Sequence, residues 1–471
     1  MNTNTLTALA GLAAAASIAA AGGIQPVLVT TSGFEAPGLL GELFDTNNFT
    51  FSTPTVDENG NVAFRARIFD ALPANERGIW RGGLGTLELI ARDGDQAAGV
   101  AAGITYNAVS SNNPTAGLRD PRLTSNGGMV FGSRLWSTTG QVTTGVDDSA
   151  LYYVPSGTTT PTLLARRGQV VTGSGAMISS SLESLNPLDV NASGQVVIKT
   201  NLTGGDVSGT TNNEAILALD GGAVSVVARK GDATPIGGTT FNSLGFARQG
   251  NAIGQFAFDA TLTGATSDSD SVIFRGNFAG GPLTVLAREG DVVTGDGAVL
   301  SGSIQPAPLG FNRHGKTAFV STISGGSVTA DDNQGIFIAD GNSIDLVVRK
   351  GIAAAGTDGI ASVIFNSDAR LNDRNNVAYR VALSGGTVDT TNDNALYILY
   401  GATNHLIARE GDFIDALGGT ISGTLGQMFL NNNGDVVFTA QIAGSSLTTS
   451  ALLTWDLETG VSVVAYRGQQ I

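Results

Sequence analysis

Two short frames alternate along this chain, seven times each, and together they restrict its fold more than any other feature. The first is Asn/Asp-x-x-Gly-x-x-Ala/Val-aromatic. It reads DENGNVAF from Asp57, NASGQVVI from Asn191, NAIGQFAF from Asn251, NRHGKTAF from Asn312 and NNNGDVVF from Asn431. Two looser copies are TSNGGMVF from Thr124 and NDRNNVAY from Asn372, the latter with Asn375 in the Gly slot. The last positions are Phe64, Phe131, Ile198, Phe258, Phe319, Tyr379 and Phe438, spaced 59 to 67 residues apart. The second frame is an apolar run closing in Ala-Arg-x-Gly-Asp. Its copies end at Asp95, Gln169, Asp232, Asp291, Ile352 and Asp412, and the seventh, VVAYRGQ, has Tyr466 in the Arg slot.

The first frame has a physical reading. An Asn or Asp at the head of a turn accepts hydrogen bonds from backbone groups a few residues on, and Gly at the fourth place supplies a positive φ without steric penalty. Together they predict a type I turn closed by a Gly bulge, a common hairpin connection. Asn375 fits the Gly slot because Asn also visits the left-handed region. After the turn, residues alternate in direction as a strand does. In the fourth repeat this predicts strands over Thr239–Ala247, Gln255–Leu262, Ser271–Gly276 and Leu283–Arg288. Four strands per unit, seven units and no helical period beyond the first residues predict an all-β chain, a seven-bladed β-propeller of four-stranded blades. A β-solenoid is the alternative, although its coils are usually shorter than this unit.

The N-terminus reads MNTNTLTALAGLAAAASIAAAGG. Leu6 to Ala21 is an apolar run of small residues, short for a membrane span, and Ala19 to Ala21 suits signal peptidase. Residues 1–21 are therefore expected to be a signal peptide, and 22–471 a single propeller domain of about 64 residues per blade, with no membrane span in the mature chain. Secretion, or residence in the periplasm or at the cell surface, follows. Val27 to Gly38, VLVTTSGFEAPG, resembles an eroded fourth strand with its loop. It is expected to pair beside the last blade, whose own outer strand spans Val461 to Tyr466.

Composition narrows the function. The chain has 471 residues, a net charge of −15, 65 glycines and no cysteine. Disulfides, thiolate metal sites and cysteine nucleophiles are excluded. Without a basic cluster, nucleic acid is not an expected partner, nor is an anionic membrane surface.

With both frames in view, the chain resembles the bacterial tandem-repeat family known by the NxxGxxAF motif and described as "choice-of-anchor". The resemblance runs from about Val27 to Gly468. It implies export, often with an anchoring tail, and carries no established activity, so no catalytic residue is inherited. The ending VAYRGQQI lacks an apolar tail, which favours simple secretion over anchoring.

Few residues invite a functional role. The recurring arginines Arg92, Arg166, Arg229, Arg288, Arg349 and Arg409 could ring an anionic glycan, but repetition in every blade favours a structural clip to an aspartate such as Asp95 or Asp291. The loop between second and third strands is polar, with Asp147, Asp148, Asp331, Asp332 and Asp393 as weak binding candidates. None follows a calcium-loop spacing, and solvated turns are the plainer reading. His314 and His405 are expected to be exposed and without a role. No catalytic, cofactor or metal site is assigned. The expected function is an exported binding or scaffolding module for extracellular polysaccharide or an envelope protein. The alternative is a propeller enzyme acting on glycans or esters through loop carboxylates.

Overall fold

In a computed structural model, the structure describes residues 29–45, 51–57, 59–69, 75–107, 117–182, 189–245, 251, 253–293, 295–365 and 369–469. The expected signal segment, Val27 and Leu28 lie outside them. The chain is all-β, a seven-bladed β-propeller, with a short 3-10 turn at Asp415–Leu417 and no α-helix among the described residues. Each blade is an antiparallel sheet of strands consecutive in sequence. Two compact units carry them: blades 1–3 precede Gly231 and blades 4–7 follow it.

Blade 4 shows the plan. Its strands are Thr240–Leu244, Gln255–Thr263, Ser271–Asn277 and Thr284–Arg288, paired in that order. These match the four predicted segments to within a few residues. Elsewhere the first strand is often broken in two. Blade 2 uses Ile104–Tyr106 and Arg122–Leu123 against one second strand, Met129–Ser137, and blade 6 uses Ile360–Ile364 and Arg370–Leu371 against Val377–Ser384.

The turn of the first frame forms as the side chains require. In blade 5 the Gly315 N–H donates to Asn312 O, and Asn312 Oδ1 accepts the N–H groups of His314 and Lys316. Gly315 has φ +72°, and Asn375 takes the same region at φ +64°. The aromatic that ends the frame then faces its register partner on the third strand. Phe64 stacks on Trp80, Phe131 on Tyr152, Phe258 on Phe274, Phe319 on Phe337 and Tyr379 on Tyr397, with centroids 5.3 to 6.2 Å apart. Where the frame ends in Ile198, the partner is Leu217. Such cross-strand pairs set register, and a stacked aromatic pair adds about 0.5–1.5 kcal/mol beyond its buried area.

The strand expected to pair beside the last blade, Val27 to Thr31, lies partly outside the described residues. Val29 to Thr31 form no strand. Ser32 to Asp45 instead supply the opening of blade 1. Gly33 N–H donates to Phe44 O, as Gly94 N–H donates to Tyr106 O one blade later. Phe44 bridges Ile68, and buried Ala36 and Phe44 pack with Phe64 and Trp80. Trp80 Nε1 donates to Pro37 O at 2.9 Å. The likeness to a loop after a fourth strand is real, but the segment belongs with the blade that follows it. Among the described residues, the seventh sheet holds only strands from Phe413 to Tyr466.

Candidate functional site

The recurring arginines each serve one structural task. The guanidinium Nε donates to a backbone carbonyl in the preceding hairpin loop of its own blade. Arg92 reaches Asn75 O, Arg166 Asp147 O, Arg229 Asn212 O, Arg288 Ser269 O, Arg349 Asp332 O and Arg409 Asn392 O, at 2.6 to 3.1 Å. Four add a carboxylate: Glu42 for Arg92, Asp147 for Arg166, Asp206 for Arg229 and Asp332 for Arg349. The aspartate that closes the frame has another role. Asp291 accepts the backbone N–H of Arg288, and Asp412 that of Arg409, each at 2.7 Å. The clip is intramolecular, as expected, but its partner is the loop rather than Asp291. Partial burial holds the Asp291 and Asp412 carboxyls above the ordinary range, whereas the Thr329 N–H, first, and Arg349 hold Asp332 below it.

The loop candidates are drawn into this arrangement rather than gathered into a site. Asp147 caps the Thr143 N–H as well as meeting Arg166. Asp148 is buried against Arg167 at 3.1 Å and Arg134 at 3.7 Å. Asp332 caps Thr329, and Asp393 accepts from the Asn394 amide. Asp331 is exposed, with its N–H on Thr329 Oγ1. No three metal-ligating side chains cluster among the described residues. EDTA is expected to change the melting temperature by less than about 2 °C. A fall above about 5 °C would mean these loops hold a cation, since one kcal/mol moves a mid-sized domain by ~2–4 °C.

The first-frame asparagines perform a second task between blades. The Nδ2 of Asn251 donates to Asn312 O, that of Asn312 to Asn372 O and that of Asn372 to Asn431 O, at 2.8 to 3.1 Å. Each amide thus caps its own turn with oxygen and ties the next blade with nitrogen. Asp57 cannot donate in this way. In its blade, buried Arg81 reaches across to Gly127 O instead, at 3.0 Å. His314 is exposed beside Arg313, while His405 is half-buried near Trp455, because its strand, Thr403–Arg409, lies against the last blade.

Blade 1 departs from the repeat. The first residue of the third strand is a small or neutral polar group in blades 2 and 4 to 7. Ser271 Oγ there accepts Ile304 N–H from the next blade, and Gln334 Oε1 accepts Ile364 N–H. In blade 1 this residue is Arg77, almost fully buried. A network of charged and polar groups surrounds it. Arg67 pairs with Glu76 at 3.0 Å, Glu76 with Arg77 at 3.2 Å, and Arg77 lies beside Asp93. Asp93 Oδ1 accepts Leu118 N–H, and Asn107 bonds its carboxyl. The Asn107 N–H continues to Arg134 O, and Arg134 pairs with Asp148. Gly117 faces the middle: a Cβ there would sit 3.1 to 3.2 Å from Arg77 Nη1, Asn107 Nδ2 and Asp93 Oδ2.

Burial lowers the Arg77 pKa and pushes Asp93 up to about 7, outweighing the attraction of Arg77. A carboxyl raised in the fold favours its protonated form there. Its contribution is fully present below the ordinary carboxylate range and is lost as pH rises through about 7. Relative to Asp93→Asn, the parent is therefore expected to gain on the order of a few kcal/mol between pH 8 and pH 4 in denaturant melts. Parallel pH profiles would contradict this.

The comparisons add a family and distant structural likenesses. A family model described as "Family of unknown function (DUF7453)" matches residues 56–471. No curated protein matches the sequence. Among solved structures, a prolyl endopeptidase aligns over 88% of this chain at 10% identity and a TM-score of 0.46. This chain spans 50% of that protein's length. The β-propeller domain of the Trilobed protease from Pyrococcus furiosus aligns over 89% of this chain and 99% of its own, at 11% identity and TM-score 0.41. The polysaccharide lyase Uly1 aligns over 96% and 95%, at 9% identity and TM-score 0.39.

Proposed function

We propose that this chain, which belongs to the family DUF7453, is an exported binding or scaffolding module for extracellular polysaccharide or an envelope component, without chemistry of its own. One observation carries this reading. The recurring arginines and aspartates are engaged in building blades, whereas blades 1 and 2 carry arginine–carboxylate pairs with partly exposed arginines, Arg65–Asp120, Arg67–Glu76 and Arg134–Asp148. Pairs of that kind suit a ligand rich in hydroxyls, which both donate and accept. The apolar run Leu6 to Ala21 supports export.

A glycan array probed with the purified mature chain tests the reading. Retention of a subset of polysaccharides without their cleavage is the expected result. Depolymerisation or ester hydrolysis by the chain would replace the module with an enzyme. Export has its own measurement, the intact mass of protein recovered from its native host. A mature chain beginning at Gly22 is expected, and one still beginning at Met1 would contradict export.

A further inference from the structure

We propose that Arg67 with Phe69, and Arg134 with Trp136, form one binding surface for a neutral, hydroxyl-rich polysaccharide across blades 1 and 2. The proposal rests on the polysaccharide reading above and gives it a place and a ligand class. The four residues occupy matching slots. Phe64 and Phe131 end the first frame, and an Arg follows three residues later with an aromatic two further on. Arg134 and Trp136, two apart on the strand Met129–Ser137, share a face, while Phe69 follows two residues after the strand that ends at Arg67. The other blades fill these slots with residues such as Thr261 and Thr263, or Ala382 and Ser384. The Arg-x-aromatic arrangement is thus peculiar to two neighbouring blades.

These side chains are partly exposed. Phe69 is 41% exposed and Trp136 37%, although the aromatics of the frame itself are buried. Arg67 and Arg134 keep side-chain exposures of 45% and 32%. Each aromatic stands opposite its first-strand neighbour: Trp136 pairs in register with Thr105, and Phe69 N–H donates to Leu43 O. The blades share one core, in which Ala63 and Ile79 pack with Phe131 and Tyr152. Packed sheets lie about 10 Å apart, a step that one extended chain would cross to meet both aromatics.

The chemistry selects the ligand. An exposed ring offers a flat apolar face to the C–H face of a sugar. Beside it, a partly exposed Arg offers N–H donors to the oxygens of vicinal hydroxyls. Arg67 is paired with Glu76, and Arg134 with Asp148. Their charges are already balanced in a chain of net charge −15, which favours a neutral glycan over a polyanion.

Calorimetric titration of the full mature chain with laminarin, a neutral β-glucan, and with alginate, a uronate polymer, tests the proposal. The parent is expected to bind laminarin with an affinity insensitive to salt up to about 0.5 M. Phe69→Ala, Trp136→Ala and Arg134→Gln are each expected to weaken it about tenfold or more. The aromatic variants should keep the parent's melting temperature, because both rings are exposed. Parent-like affinity in both aromatic variants would overturn the site while leaving polysaccharide binding intact. Binding of alginate alone, lost with salt, would overturn the neutral class. No binding of any polysaccharide by the parent would end both the site and the broader reading.

Discussion

Gly434→Val is expected to destabilise the protein by roughly 2–6 kcal/mol, from two sources of roughly 1–3 kcal/mol each. Gly434 has φ +98°, where a β-branched residue is strained. It also lies against the preceding blade. An added Cβ would meet Tyr400 Cε2 at 2.4 Å and Asn376 Nδ2 at 3.2 Å. The same approach recurs where Gly194 meets the Tyr153 ring. The frame glycine therefore answers to a turn and to a neighbour at once. His314→Ala, an exposed change in an equivalent turn, should stay within about 0.5 kcal/mol. Denaturant melts that rank the two variants the other way would refute this account of the turn.

Asn312→Asp is expected to lose roughly 2–4 kcal/mol at pH 7 and to regain much of it near pH 4. The carboxylate keeps the cap on His314 and Lys316 N–H groups but has no proton to give. Asn312 Nδ2 now donates to Asn372 O and to Asn375 Oδ1, at 3.1 and 2.9 Å. A buried carboxylate facing two oxygens is repelled, and protonation restores one donor. Asn433→Asp, exposed in the equivalent turn of blade 7, should move stability by less than about 0.5 kcal/mol. Equal losses for both, at both pH values, would show that the amide ties no blade to the next.

How much of this was legible in the residues depended on whether a signal was local and repeated. The turn could be read because Asn312, Gly315 and their counterparts act within four residues, and seven copies remove coincidence. The strand count followed from alternation. Its pairing partners were less visible. Phe274, Phe337 and Tyr397 face the frame aromatics from a strand some 16 to 18 residues on, a distance set by a loop of variable length. Substitution inside the chain held a clue, since Ile198 faces Leu217 where Phe258, Phe319 and Tyr379 face rings.

The inter-blade role of Asn312 could not be read from its turn, because the acceptor, Asn372 O, is a backbone atom one repeat away. Asp57 in place of Asn was its one trace. The packing of Ser32 to Asp45 into blade 1 was hidden for a related reason. Its resemblance to a strand and loop is local, whereas its partner, Ile68, is chosen by the packing of Phe44 on Trp80. The charged network on blades 1 and 2 was missed because Arg77 belongs to neither frame. Aligning the repeats on Phe64 and Phe131 would have exposed it, together with the two Arg-x-aromatic steps. The loop aspartates attracted attention by density alone, and Asp147 and Asp332 prove to be partners of Arg166 and Arg349.

The central claim is a division of labour: recurring residues build the blades, and the departures on blades 1 and 2 meet the ligand. Tryptophan emission reports on it directly. Of three tryptophans, Trp80 is fully buried and Trp455 is 6% exposed, so Trp136 alone senses events at the surface. Saturating the mature chain with laminarin is expected to shift the emission to shorter wavelength, as a sugar ring displaces water from the indole, and Trp136→Ala should abolish the shift. Laminarin that co-sediments with the chain and leaves the emission of the parent unchanged would contradict the claim.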